Sequence, residues 1–262
     1  MRVPVSALAL ALALTGAIAS AQSDTAPAES PRPELRPDPE TREEEFLPDE
    51  IPAAEGEAEA PAPDTAVPGV WETLAESDAD YAACLADLDA LGTVYTSAPQ
   101  VTEDDPDCGI ARPIRVTEIL PGVEMQPDAV LRCATARALA RWVQDDVQPA
   151  ARAIGTLADV TALDHGSTYI CRRRNNAATG KLSEHSFGNA VDVMAFDFAD
   201  GTTLRVEPRA DNGTVEEAFQ RAVRGGACVH FTTVLGPGTD ATHDNHLHMD
   251  IKERNGGYRI CQ

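Results

Sequence analysis

The histidines of this 262-residue chain lie where they could act together. Three of the six fall close together, at His243, His246 and His248, and a fourth, His185, precedes Asp192 by seven residues. Alternate residues of a strand share a face, so His246 and His248 would point the same way. A glycine turn after His185 would let the chain fold His185 and Asp192 onto one centre. Two imidazoles and one carboxylate, with water in the fourth position, form a typical catalytic zinc site.

Spacing alone leaves an ordinary polar surface open as the alternative, because a His-x-His pair also occurs by chance on exposed strands. No Cys-x-x-Cys pair is present, which argues against a thiolate zinc site and favours histidine and aspartate ligands. The other two histidines, His165 and His230, match no motif and are interpreted as ordinary polar residues.

The elements that would position these residues follow from the apolar patterns. Leu131, Ala134, Ala138 and Trp142 recur at helical spacing, which predicts a long helix that ends near Pro149 or slightly later. The other predicted elements are helices at 81–91 and 215–223, the second closed by Gly225 and Gly226, and strands at 167–171, 190–196, 229–235 and 246–251. Helices first and strands clustered later indicate an α+β fold rather than an alternating parallel one.

Charge is distributed unevenly along the chain. The formal net charge is −22, and positions 22–70 supply −11 of it, from 14 acidic residues against three arginines. The same positions hold ten of the 19 prolines. Like charges repel, proline stiffens the chain and little apolar surface is available, so we expect a disordered linker over 22–76 and a folded domain over 77–262. We expect the domain's stability not to depend on this linker.

The composition also excludes two classes of protein. Too few cations are available to neutralise the phosphates of a nucleic acid. No apolar run outside the extreme N-terminus is long enough to span a membrane, so no span is expected once a signal sequence is cleaved.

The first 21 residues have the features of a secretory signal. Arg2 gives a positive start, positions 5–19 form an apolar run, and small residues from Ala19 to Ala21 suit cleavage. An uncleaved membrane anchor is the alternative, although the apolar run is short for a span. We expect an exported protein located in the periplasm.

The cysteines agree with export. All six lie between positions 84 and 261, outside the signal and the linker. An even number without redox spacing predicts three disulfides, and the sequence leaves their pairing open.

Two strings around the histidines resemble known motifs. They are Ser183-x-His185-x-x-Gly188-x-Ala190-x-Asp192 and His246-x-His248. The pair resembles the zinc motifs of the D-alanyl-D-alanine metallopeptidase group, which includes murein endopeptidases and whose fold the hedgehog signalling domain shares. More narrowly, segments around "GSTYICRRRN", "LSEHSFGNAVDV", "FTTVLGPGTDATHDNHLHMD" and "RICQ" resemble the bacterial extensin-like C-terminal domain family. The resemblance covers most of 83–262 and implies a small antiparallel sheet with flanking helices.

The resemblance also implies roles for single residues. The implied zinc ligands are His185, Asp192 and His248. His246 would lie beside the metal and support the reaction. Arg172 is the best match to an arginine that holds the substrate in this group, and Arg173 and Arg174 match less well. A solvated loop is the alternative for this arginine run.

One position departs from the group's pattern. Several members place a carboxylate base three residues before the last zinc histidine, where this chain has Asn245, and an amide cannot accept a proton at neutral pH. The murein endopeptidase branch spaces its histidines as His243, His246 and His248 are spaced here. His243 is therefore the first choice for the general base, with Asp244 and His246 as alternatives.

These features lead us to expect a zinc metallopeptidase of the D-Ala-D-Ala carboxypeptidase or murein endopeptidase type. Its substrates would be the peptide bonds of peptidoglycan stem peptides or cross-links. The alternative is a non-catalytic, zinc-containing module that binds the cell wall, which the departure at Asn245 favours. A groove that opens onto the metal would favour the peptidase.

Overall fold

The structure, a computed structural model, describes residues 68–262. The expected signal sequence at 1–21 and the linker up to residue 67 lie outside the described residues. The strands are β1 Val94–Ser97, β2 Val101–Thr102, β3 Gly109–Ile110, β4 Pro113–Leu120, β5 Val123–Arg132, β6 Val160–Ser167, β7 Ala190–Phe198, β8 Thr203–Arg205, β9 Thr233–Leu235, β10 Leu247–Asp250 and β11 Ile260–Cys261. The helices are α1 Val70–Thr73, α2 Asp78–Leu91, α3 Cys133–Trp142, α4 Gln148–Ile154 and α5 Val215–His230, with a π-helical turn at Val143–Val147. None of the helices in this part of the chain has the length and apolar character needed to cross a membrane.

The fold is mixed α and β, with a mostly antiparallel sheet. Nine strands form the main sheet in the order β1-β4-β5-β6-β7-β10-β9-β11, with β8 paired to β7, and β2 and β3 form a separate pair. The pairs β5–β6 and β9–β11 are parallel and the remaining pairs are antiparallel. The mixed class is confirmed, but the sheet is larger than expected, and β1 to β5 precede α3, so the expected order of helices first and strands later is wrong.

The long central helix begins later than predicted, and its end at Ile154 agrees with the expected end near Pro149 or slightly later. Leu131 and Arg132 belong to the end of β5, and α3 starts at Cys133. The helix then continues beyond Pro149 as α4, because a π-helical turn at Val143–Val147 precedes it and the backbone N–H of Gln148 bonds to the carbonyl of Val143. A π turn offsets the hydrogen-bond ladder, so a proline directly after it does not stop the helix.

Helix α5 runs through the two glycines that were expected to close it. It continues to His230, so the predicted strand at 229–235 is reduced to Thr233–Leu235. A Cβ at Gly226 would lie 2.2 Å from Oδ1 of Asp146. Asp146 in turn lies 2.8 Å from Nε2 of His230. The glycine therefore allows the close approach of the π turn rather than ending the helix.

The sheet divides the apolar core from the polar residues of the predicted site. Val191 and Val193 of β7, and Leu247 and Met249 of β10, belong to the core that the helices cover. Side chains alternate between faces along a strand, so the polar residues between them lie on the opposite face. Trp142 fixes the helical layer, because its Nε1 donates to the carbonyl of Val223 at 2.8 Å and its ring packs edge-on against Phe196.

Three disulfides join the six cysteines, as the sequence predicts. The pairs are Cys84–Cys133, Cys108–Cys171 and Cys228–Cys261. The second pair fixes the residue directly before Arg172 to the loop that precedes β3.

Residues just upstream of 77 pack against the rest of the described chain. Trp71 in α1 is buried, and its Nε1 donates to the carbonyl of Pro106 at 2.9 Å. Glu76 forms an ion pair with Arg132 at 2.8 Å, and both side chains are almost buried. The docked chain therefore includes part of the segment 22–76.

Candidate metal centre

The strands bring Asp192 and His248 side by side. β7 and β10 are antiparallel, and Asp192 is the register partner of His248. On its other side β7 pairs with β6, where Ser167 is the partner of Asp192. The three side chains therefore lie in one row across the sheet, on the face opposite the helical core.

A short helical turn delivers His185 to the same row. The 3-10 turn Glu184–Phe187 precedes β7 and ends at Gly188, which has φ 66°. A Cβ at Gly188 would lie 2.5 Å from the side chain of Ile110, so glycine is required there both for its conformation and for space. His185, on this turn, is completely buried.

The three predicted ligands converge on one point. Nε2 of His185 lies 3.1 Å from Oδ1 of Asp192, and Nδ1 of His248 lies 2.9 Å from the same oxygen. The two imidazole nitrogens are 3.1 Å apart. His185, Asp192 and His248 thus form a compact triangle of two nitrogens and one oxygen.

The opposite nitrogen of each imidazole has a partner that leaves the inner nitrogen available. Nε2 of His248 lies 3.3 Å from Oδ2 of Asp250, and an ionised carboxylate only accepts, so the hydrogen belongs on Nε2. Nδ1 of His185 lies 3.4 Å from the carbonyl of Thr168 and 3.3 Å from Oγ of Ser167. When an imidazole is neutral, as a metal ligand must be, the remaining hydrogen therefore lies on the outer nitrogen, and His185 Nε2 and His248 Nδ1 are free to bind a metal.

Electrostatics keep the two aspartates ionised. Burial opposes the charge on Asp192, but hydrogen bonds from His185 and His248 outweigh it and hold its pKa well below the usual value. Burial likewise opposes the charge on Asp250, and the bond to His248 outweighs it, so that pKa is also lowered. Burial lowers the pKa of His248, but hydrogen bonds to Asp192 and Asp250 outweigh burial and raise this pKa to about 9.

This arrangement fits a zinc ion. Ligands about 2.0–2.1 Å from a tetrahedral zinc are roughly 3.4 Å apart, close to the spacing of the triangle. Metal-bound histidines also typically donate their other N–H to a carboxylate or a carbonyl, as both do here. Another group of possible ligand side chains in residues 68–262, Asp105 with Cys108 and Cys171, contains a disulfide and so offers no thiolates.

His246 and His243 lie next to the triangle. His246 directly precedes β10, and its Nε2 is 3.6 Å from Oδ1 of Asp192. Its Nδ1 lies 2.9 Å from Oδ1 of Asn245, so the amide orients this imidazole. The His243 ring is centred 5.3 Å from that of His246 and 5.9 Å from that of His248.

A carboxylate holds His243. Its Nδ1 lies 2.9 Å from Oδ1 of Asp240, and hydrogen bonds from Thr242 and His243 lower the pKa of Asp240 to about 2. An ionised carboxylate accepts, so Nδ1 of His243 carries the hydrogen and Nε2 has the free lone pair. Burial lowers the pKa of the neighbouring His246.

Glu184 ties the segments of the site together. Its buried carboxylate pairs with Lys252, which follows β10, and with Arg174 at 3.5 Å, on the loop that begins at Arg172. Its Oε2 accepts from Asn189, directly before β7, at 3.0 Å. The side chain does not approach the triangle, but it connects the three chain segments around it.

A cleft of about 300 Å³ lies beside the centre and reaches it at His248. Its lining includes His243, His246, His248, Arg172, Arg174 and Arg254. The backbone N–H of Arg172 donates to Oγ of Ser186 at 3.1 Å, which fixes the arginine to the turn that carries His185. Arg173 is also on this loop and contacts Asp105 at 3.9 Å.

The two histidines without a motif have separate partners. Nε2 of His165 donates to the carbonyl of Pro127 at 2.6 Å, and His230 pairs with Asp146. Neither belongs to the triangle of possible ligands.

Sequence reasoning missed Asp250, Asp240 and the role of Glu184 as a connector. Asp250 had a readable signal, because it lies two residues after His248 on the same strand and so shares its face. Asp240 is in a loop, and its contact with His243 depends on the 3-10 turn Ala241–His243. A contact of this kind produces no periodic pattern in the sequence from which it could be predicted.

Comparison with known proteins assigns the family. The model of the extensin-like protein C-terminus matches residues 82–262. The chain belongs to this family. The match spans every strand and all the residues of the triangle and the cleft. Comparisons with curated proteins and with solved structures gave no match to this extensin-like chain.

Proposed function

We propose that this extensin-like protein is an exported, periplasmic zinc peptidase that hydrolyses peptide bonds of peptidoglycan stem peptides or cross-links. One observation carries the proposal: two imidazole nitrogens and a carboxylate oxygen converge within about 3 Å, and one of the three residues, His248, lines a cleft. The motif resemblance to the D-alanyl-D-alanine metallopeptidase and hedgehog group supports it, and supplies the substrate class.

His185, Asp192 and His248 would hold the ion. Zinc, when bound, supplies Lewis-acid polarisation of a carbonyl and activation of water. Two groups that do not bind the ion orient the histidines that do. Asp250 and the carbonyl of Thr168 fix which nitrogen of each imidazole faces inward.

His243 is the proposed general base. Its free Nε2 accepts a proton from water and returns it to the leaving amine, while Asp240 holds Nδ1 and stabilises the charged imidazole. This pairing of histidine and carboxylate offers the proton acceptor that Asn245 cannot provide. His246 lies closer to Asp192 and supports the charge in the centre.

Arg172 is proposed to bind a carboxylate of the substrate. It lines the cleft, and the disulfide at Cys171 together with the bond to Ser186 fixes its backbone. A guanidinium recognises a carboxylate with two parallel hydrogen bonds.

Zinc analysis combined with digestion of purified sacculi tests this function. We expect one zinc per protein and release of peptide fragments, with both lost in His248→Ala. A protein that contains zinc and binds sacculi without releasing fragments would instead be a wall-binding module.

A further inference from the structure

The cleft is cationic in a chain that is strongly acidic overall. Three arginines and two carboxylates line it: Arg172, Arg174 and Arg254 with Glu184 and Asp250. Both carboxylates are buried and satisfied within the protein, Glu184 by Lys252 and Arg174, and Asp250 by Thr233, His248 and the backbone of Lys252. The charge that remains available to a ligand is therefore positive.

Two of these arginines have no carboxylate partner within residues 68–262. Arg254 donates from Nη1 to the carbonyl of Thr232 at 3.0 Å and from Nη2 to Oγ1 of Thr233 at 2.6 Å, and both acceptors are neutral. The guanidinium of Arg172 makes no hydrogen bond or ion pair with this part of the chain, although its backbone is anchored. A guanidinium has five N–H donors, so each retains donors for a ligand.

Arg254 is also positioned relative to the metal centre. The hydroxyl of Thr233 that accepts from Arg254 donates to Oδ1 of Asp250 at 2.6 Å. The other oxygen of Asp250 faces His248. One chain of hydrogen bonds therefore orients both the guanidinium of Arg254 and the imidazole of His248. A peptide that contacts both residues would meet a prearranged site.

We propose that the cleft binds a peptide with two carboxylates, one held by Arg172 and the second by Arg254. The peptide class and the role of Arg172 rest on the proposed function, and the second anion site at Arg254 is the new element. The net charge of −22 makes the protein as a whole repel anions at long range. The two unpaired guanidiniums therefore attract an anionic ligand only at short range, inside the cleft. Hydrogen bonds between guanidinium and carboxylate are among the strongest polar contacts available for this recognition.

Matched dipeptides test the proposal by isothermal titration of the zinc-loaded protein. D-Ala-D-Glu carries two carboxylates, and D-Ala-D-Gln replaces one of them by an amide of the same shape. We expect the wild type to bind D-Ala-D-Glu about tenfold or more tightly than D-Ala-D-Gln. In Arg254→Gln this preference disappears while the affinity for D-Ala-D-Gln stays the same, and Arg254→Lys restores part of it. Arg152→Gln is the control, because Arg152 is exposed on α4 and pairs with Asp159.

Three outcomes would overturn the second anion site. They are equal affinity of the wild type for both dipeptides, an unchanged preference in Arg254→Gln, and an equal loss of both affinities in Arg254→Gln, which would assign the arginine to folding alone. Failure of the proposed function is distinguishable. A protein that keeps the preference but does not digest sacculi lacks only the peptidase activity, whereas one that digests sacculi without the preference lacks only this site.

Discussion

The carboxylate of Asp250 lies 3.3 Å from Nε2 of His248, on the side of the imidazole opposite Asp192. This contact decides which nitrogen of His248 faces the other two proposed ligands. The motif resemblance does not include Asp250.

We predict that Asp250→Asn weakens zinc binding by about 10- to 100-fold, the usual effect of losing an outer partner of a metal-bound histidine. An amide can donate to Nε2 as well as accept from it, so the tautomer of His248 is no longer fixed. Competition with a chelator measures the affinity. Asp244→Asn is the control and should bind zinc as the wild type does. Equal affinity in the Asp250 variant would show that this carboxylate does not tune the centre.

The general base is tested by separating zinc content from activity. We predict that His243→Ala and His246→Ala retain zinc but lose peptidase activity by about 100-fold or more. Asp240→Asn should lower activity too, because it removes the carboxylate that holds Nδ1 of His243. Asp244→Asn should cost much less. Full activity in His243→Ala together with an inactive Asp244→Asn would assign the base to Asp244.

Zinc binding should release protons. Hydrogen bonds to Asp192 and Asp250 outweigh burial and raise the pKa of His248 to about 9, so metal-free His248 carries an extra proton at pH 7. A ligand nitrogen must lose that proton, so the apparent zinc affinity rises as the pH increases from 6 towards 9. Titration calorimetry in buffers of different ionisation enthalpy measures the release, which we expect to be about one proton at pH 7. An affinity that does not vary over this range would contradict the assignment of His248 as a ligand.

The docked segment upstream of residue 77 should contribute to stability. A protein that starts at residue 78 loses the buried Trp71 and the ion pair between Glu76 and Arg132. We predict a loss of about 3 kcal/mol for Trp71→Ala, and a melting temperature lower by roughly 6–12 °C for the shortened protein. A protein that starts at residue 68 is the control and should melt like the mature chain. Identical melting temperatures of the two shortened proteins would show that the segment upstream of residue 78 does not stabilise the domain.

The sequence predicted the strands that carry the site better than the helices that cover the core. Alternation placed His248 and Asp192 on strands close to the observed bounds, because buried strands rich in apolar residues have a strong local pattern. The expected closure of α5 at Gly225 and Gly226 was wrong, because the close approach of Asp146 requires a glycine inside the helix, and no local rule includes such a contact. The central helix ends slightly later than Pro149, as expected, but the π turn before that proline has no signal in the sequence.

The run 167–171 shows a second limit. It has strand-like composition, but β6 ends at Ser167 because the next residues bond to the turn that carries His185, through the carbonyl of Thr168 and the N–H of Ile170. The polar partners of the site depend on such long-range contacts. The sequence therefore supported the candidate ligands but not the outer partners that orient them.

Digestion of purified peptidoglycan sacculi is the most direct measurement of the central claim. Muropeptides released by the zinc-loaded wild type are compared with those released after chelation and by His248→Ala. We predict cleaved stem peptides with the wild type, no cleavage after chelation, recovery on adding zinc, and no cleavage with His248→Ala. Intact stem peptides after incubation with a fully zinc-loaded, folded wild type would contradict the assignment of this centre to peptide hydrolysis.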